Sequence, residues 1–234
     1  MRFLSIILAF FWANAVIAEC RHALILALDI SGSVTWTEYR MQQRGLSEAL
    51  QDPEVIDVIL SDPEAPVYVY VFEWAGTGGY DVAVDWVALR NRSDIEALAA
   101  QITNYSSQRS TFRTAIGAAL HFAQSQFERG PDCDRRTVDI SGDGKSNVGP
   151  TPRQVYASGG YEDIVVNTLS IGEPLEEEGA AVTNAQLIEY YHREVNHGPG
   201  AFTIEAIGFE DYARAMKRKL IRELSPISLS YLAD

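Results

Sequence analysis

Hydrophobic residues follow two rhythms along this chain, and the two alternate. His22 to Leu28 (HALILAL) is an almost unbroken apolar run that stops at Asp29, the pattern of a strand covered on both faces. After Ser31-Gly32-Ser33, Thr35 and Glu38 have capping-box spacing, which predicts a helix from there to about Leu50, limited by Pro53. Val67 to Trp74 and Val82 to Leu89 read as strands joined through Gly76 to Gly79, a hairpin with the later strand at the sheet edge. Ser93 is placed to cap a helix reaching about Thr103. Ala115 to Phe127 forms another, with Ile116, Leu120 and Phe127 on one side, and the polar stretch Asn104 to Thr114 connects the two. Thr137 to Ile140, Ile164 to Ile171 and Ala201 to Ala206 are further strands. Val182 to Val195 and Phe209 to Leu224 are amphipathic helices, and Tyr212, Met216, Leu220 and Leu224 share a face of the second.

Strands alternating with helices imply parallel pairing with helices on both sides, and the right-handed crossover rule leaves few topologies. The expected fold is a doubly wound α/β three-layer sandwich whose six-stranded sheet is mostly parallel, with one antiparallel edge strand. Ligands in such sheets sit beyond the carboxyl ends of the strands, where the strand order reverses. Asp29 and Asp143 both fall at such ends, each just after an apolar strand.

The first residues change the picture of where the protein works. Arg2, the apolar stretch Phe3 to Phe11 and the small or β-branched Val16-Ile17-Ala18 have the layout of a cleaved signal peptide over residues 1–18, leaving one domain over 19–234. A membrane anchor is the competing reading, but Asn14 interrupts a segment that would need about 20 apolar residues to span a bilayer. A lipid anchor on Cys20 would follow a poorly suited Glu19. The expectation is an exported protein, periplasmic or secreted, with no stable membrane span after cleavage. Its net charge of −13, from 19 basic and 32 acidic residues, opposes binding to nucleic acid or anionic lipid. Cys20 and Cys133 precede Asp29 and Asp143 by similar distances, so on adjacent parallel strands the two sulfurs start level and a disulfide is feasible. Two unpaired thiols are the alternative.

Asp29-Ile30-Ser31-Gly32-Ser33 ends a strand with a carboxylate and two hydroxyls at alternate positions, an oxygen-only set suited to hard cations such as Mg2+, Mn2+ or Ca2+. Alone it equally describes a strand-to-helix turn. With a downstream threonine loop and the later Asp143-Gly144, it resembles the metal-ion-dependent adhesion site of von Willebrand factor A and integrin inserted domains. In that family the threonine opens a helix, which points to Thr114 in Thr114-Ala115-Ile116-Gly117. Phe112 and Arg113 stand where glycines are usual, leaving Thr111 as a second choice, and Gly142 stands where threonine or serine is commoner. The ending from Gly198-Pro199-Gly200 through Phe209 to Leu220 is similar to a bacterial branch of these domains catalogued as of unknown function.

The resemblance implies that Ser31, Ser33 and Thr114 approach a divalent cation, Mg2+ foremost, while Asp29 and Asp143 hold its waters. It also implies a protein partner whose acidic side chain completes the coordination, with Arg113 available to pair with the same acid. The expected function is therefore an adhesion or scaffolding module rather than an enzyme, the alternative being a metal-dependent hydrolase in the same cleft. Other signals are weaker. Gly144-Lys145-Ser146 lacks the glycine that a phosphate-binding loop needs five positions earlier, where Asp139 stands. His192 and His197 lack zinc-protease spacing, and Lys217-Arg218-Lys219 reads as complementing the dipole of a helix carboxyl end.

Overall fold

In the computed structural model, residues 20–107, 113–173 and 183–225 are described. The expected signal segment, Thr111, Val182 and the acidic stretch after Glu173 lie outside them. In chain order the elements are β1 (His22–Asp29), α1 (Trp36–Leu50), α2 (Pro53–Ile59), β2 (Val67–Trp74), β3 (Tyr80–Leu89), α3 (Arg92–Asn104) and α4 (Ile116–Phe127). They continue with β4 (Arg136–Gly142), α5 (Pro152–Ala157), β5 (Ile164–Gly172), α6 (Asn184–Tyr190), β6 (Thr203–Ile207) and α7 (Tyr212–Leu224).

The strand order is β3-β2-β1-β4-β5-β6, with β3 antiparallel at one edge and the other pairings parallel. Its reversal lies between β1 and β4, so Asp29 and Asp143 come off adjacent strands at the same rim. β1 shows why the apolar run was unbroken: Leu24, Leu26 and Leu28 join a core under α1, α2, α3 and α7, while Ala23, Ile25 and Ala27 join one under α4 and α6. At the opposite end Cys20 and Cys133 form a disulfide, their α-carbons 4.5 Å apart.

Several boundaries depart from expectation for local reasons. Pro53 starts a helix as well as limiting the one before it: Asp52 accepts from the Glu54 N–H and caps α2, where a first-turn proline costs no hydrogen bond. Asn91 caps α3 in place of Ser93, its side chain accepting from the Asp94 N–H at 3.1 Å. The short α5, opened by a Thr151–Gln154 capping box, was not anticipated. α6 is capped by Thr183 and passes into a π-helical turn, Tyr191–Val195. β6 begins at Thr203, two residues later than Ala201. The Lys217–Lys219 run is not a dipole complement. Lys217 bridges Asp52 and Glu54 at 3.0 and 2.9 Å, and Lys219 is fully buried between Asp139 and Glu223 at 2.9 and 2.5 Å.

Candidate metal centre

Asp29 is the last residue of β1 and is completely buried. Strand pairing ends there: the Ile30 N–H still donates to the Trp74 carbonyl at 2.8 Å, and Gln42 of α1 donates to the Asp29 carbonyl at 3.0 Å. With its backbone clamped, the side chain is committed to the rim. Its Oδ1 accepts from the Ser31 N–H at 2.7 Å, the turn that brings the Ser31 hydroxyl round toward the same point. Its Oδ2 is buried and has no hydrogen-bond partner.

The hydroxyls converge on this carboxylate. Ser31 Oγ lies 3.2 Å from Ser33 Oγ, Thr114 Oγ1 lies 3.4 Å from Ser31 Oγ, and Ser33 Oγ donates to Asp143 Oδ1 at 2.9 Å. Three loops, after β1, before α4 and after β4, thus bring Asp29, Ser31, Ser33, Thr114 and Asp143 into one cluster. Burial pushes the Asp29 carboxyl well above the usual carboxylate range, and the Asp143 charge pushes it further. Asp143 is raised too, again chiefly by burial. Among the described residues no group of three or more His, Cys, Asp or Glu side chains gathers to hold a metal, so a cation here would meet two carboxylates and three hydroxyls. That set fits a hard divalent ion, and the unpartnered Asp29 Oδ2 is an acceptor such an ion or its water would satisfy.

Residues that sequence reasoning passed over hold the cluster in place. Asn147 accepts from the Thr114 N–H at 3.1 Å and returns its own N–H to the Thr114 carbonyl at 2.9 Å. Ser146 Oγ accepts from the Ile116 N–H at 3.2 Å, bracing the amino end of α4. The serine that imitated a phosphate-binding loop is a strut for the threonine. Tyr191, fully buried in the π-helical turn, donates to the Gly144 carbonyl at 3.0 Å. It also explains Gly142, where a β-carbon would sit 2.6 Å from the Tyr191 hydroxyl and 2.9 Å from Asp29 Oδ2. The tyrosine fills the space that a threonine or serine side chain would take. No sequence signal distinguished it, because its role depends on the π turn that aims it.

The six-stranded sheet with its flanking helices has the von Willebrand factor A-like fold. Solved structures share the fold. Proximal thread matrix protein 1 from the mussel byssus aligns with TM-score 0.60 and 17% identity over 88% of this chain and 48% of that one, and a second structure of it has a zinc-occupied metal-ion-dependent adhesion motif. A von Willebrand factor type A protein from Catenulispora acidiphila aligns with TM-score 0.55 and 16% identity, over 88% of this chain and 43% of that one. The pilus adhesin SpaC from Lactobacillus rhamnosus GG aligns with TM-score 0.59 and 13% identity, over 88% of this chain and 30% of that one. The chain therefore spans about half the length of the byssus protein and less of the other two. Its sequence belongs to the family described as a protein of unknown function, DUF1194, over residues 19–228. No curated protein matches it. No helix among the described residues is long and apolar enough to cross a membrane.

Proposed function

We propose that this protein is an exported, protein-binding module that takes a divalent cation, Mg2+ foremost, at Asp29, Ser31, Ser33, Thr114 and Asp143 and uses it to capture an acidic side chain of a partner protein. The observation that carries this reading is the clustering of the Ser31, Ser33, Thr114 and Asp143 oxygens, from three loops, next to Asp29, whose Oδ2 is buried with no hydrogen-bond partner. Ser31, Ser33 and Thr114 are neutral donors that would hold the ion directly, and Asp29 and Asp143 would orient its waters. With few charged ligands, the ion keeps affinity for an incoming carboxylate. Arg113, beside Thr114 and exposed, is placed to attract the same acid. The byssus protein with a filled adhesion motif and the pilus adhesin support a role in contact between proteins.

Pull-down from the native cell envelope, with and without chelator, tests the proposal. The wild type should retain a partner in Mg2+ that chelator releases, and Asp29→Ala should retain none. Equal capture by Asp29→Ala would remove the metal from the account. Turnover in phosphatase or esterase assays, lost in Asp29→Ala, would favour hydrolysis instead.

A further inference from the structure

The buried cluster between α7 and the sheet takes no part in the metal rim, and it sets a nucleophile against an electrophile. Lys219 of α7 is 0% exposed. Its Nζ lies 2.9 Å from Oδ2 of Asp139, in the middle of β4, and 2.5 Å from Oε1 of Glu223, one helical turn further along α7. Asp139 and Glu223 are equally buried. Asn167, opposite Asp139 in the parallel register of β5, donates to the same Glu223 oxygen at 2.9 Å. Asp139 Oδ1 has no hydrogen-bond partner. The Phe202 ring, its centroid 5.5 Å from Nζ, helps to close the cluster from solvent.

One ammonium cannot neutralise two carboxylates, and charges held out of water are costly even when paired. Burial pushes the Asp139 carboxyl up to about 7, with Lys219 pulling it back and Glu223 adding to the rise. Near neutral pH Asp139 therefore populates its acid form, the form an amine attacks. In water an amine and a carboxylic acid stay apart because hydration favours their ions. Burial removes that advantage, and fixed contact removes the entropic cost of bringing the two groups together. Glu223, within reach of the same nitrogen, is placed to carry a proton from it.

We propose that Lys219 and Asp139 condense after folding into an intramolecular amide, with Glu223 as the proton carrier. The ammonium passes one proton to Asp139 Oδ2, and the resulting amine attacks Cγ, forming the Nζ–Cγ bond. Glu223 takes a second proton from the nitrogen and delivers it to the hydroxyl on Cγ, whose C–O bond breaks. One water leaves, the amide nitrogen keeps the third hydrogen, and Glu223 returns to its carboxylate; no oxidant or other reactant is consumed. The remaining charge is met by the Asn167 amide and by Arg135, whose guanidinium donates to the Glu223 carbonyl at 2.8 Å. Glu223, Asn167, Thr137 and Phe202 line a cavity through which the water departs. The bond ties the last helix to the centre of the sheet, and it does not depend on the reading of Asp29. Asp139 titrates only in chains where the bond has not yet formed.

Peptide mapping by mass spectrometry of the full chain, incubated folded and then reduced and digested with trypsin, tests the bond. The wild type should release Thr137–Lys145 joined to Lys219–Arg222 as one species, lighter than the two peptides together by one water, with cleavage after Lys219 blocked. Glu223→Gln keeps an oxygen for Asn167 and Lys219 but cannot carry the proton. It should give Thr137–Lys145 and Leu220–Arg222 separately, with unchanged circular dichroism. Separate peptides from the incubated wild type overturn the bond, and Lys219 joined to Glu223 instead overturns the choice of Asp139. An undiminished joined peptide in Glu223→Gln overturns the proton carrier. The wild-type map is read without any variant, so it decides the bond even where Glu223→Gln fails to fold.

Discussion

At the scale of single residues, the candidate metal centre depends as much on what is missing as on what is present. Position 142 must lack a β-carbon because the Tyr191 hydroxyl and Asp29 Oδ2 already occupy that space. Gly142→Ala should therefore destabilise the protein by about 1–3 kcal/mol, the usual range for overpacking a filled interior. Adding Tyr191→Phe should restore part of that loss in denaturant unfolding. A neutral Gly142→Ala would mean that the tyrosine does not set the glycine. Asp29, Ser31, Ser33 and Asp143 were legible in the sequence because they are adjacent to strand ends that the apolar runs mark. Asn147, Ser146 and Tyr191 were not. Their roles depend on which loop lies against which, and nothing in their own neighbourhoods announces it.

At the scale of elements, α7 is the helix whose sequence misleads most. An amphipathic pattern with a basic run suggests charges in solvent, yet Lys219 is enclosed with Asp139 of β4 and Glu223 of its own helix. The strand explains this. Thr137, Asp139 and Ser141 line the side of β4 that faces α7, with Thr137 bonded to His22 at 2.8 Å and Ser141 to Tyr212 at 3.0 Å. Asn167 of β5 donates to Glu223 at 2.9 Å, and Arg135 donates to the Glu223 carbonyl at 2.8 Å. One ammonium shares the space with two carboxylates, so burial raises the Asp139 carboxyl to about 7, helped by Glu223 and opposed by Lys219. For an acid whose folded-state value is raised, stability is fully present below the unfolded value near 4 and is lost as pH climbs through 7. Metal-free protein should thus lose on the order of 1–3 kcal/mol between pH 5 and pH 8 from this group. Asp139→Asn, which leaves Lys219 with one carboxylate, should flatten that slope. An unchanged slope would place the excess charge elsewhere. Short helices were the other blind spot: α2 and α5 have 7 and 6 residues, too few for a helical period to stand out.

At the scale of the whole molecule, the sheet was the most legible feature, because strands buried on both faces leave continuous apolar runs and a hairpin leaves a glycine-rich turn. The strand order itself was not legible: the crossover rule left few topologies without choosing among them. The disulfide sits at the pole opposite the candidate metal rim and joins positions 113 residues apart, starting β1 level with β4. Closing a loop of that size should contribute about 2–5 kcal/mol. Reduction, or Cys20→Ala with Cys133→Ala, should lower stability by that amount while leaving metal affinity nearly unchanged, since the rim is held by its own backbone bonds. Loss of cation binding on reduction alone would contradict the independence of the two poles.

The most direct measurement is a magnesium titration by calorimetry of the wild-type protein and of Asp29→Ala. The account predicts one magnesium bound per chain, lost on Asp29→Ala with the fold intact by circular dichroism. Magnesium bound equally well without the Asp29 carboxylate, or no magnesium bound with it, would contradict the metal centre.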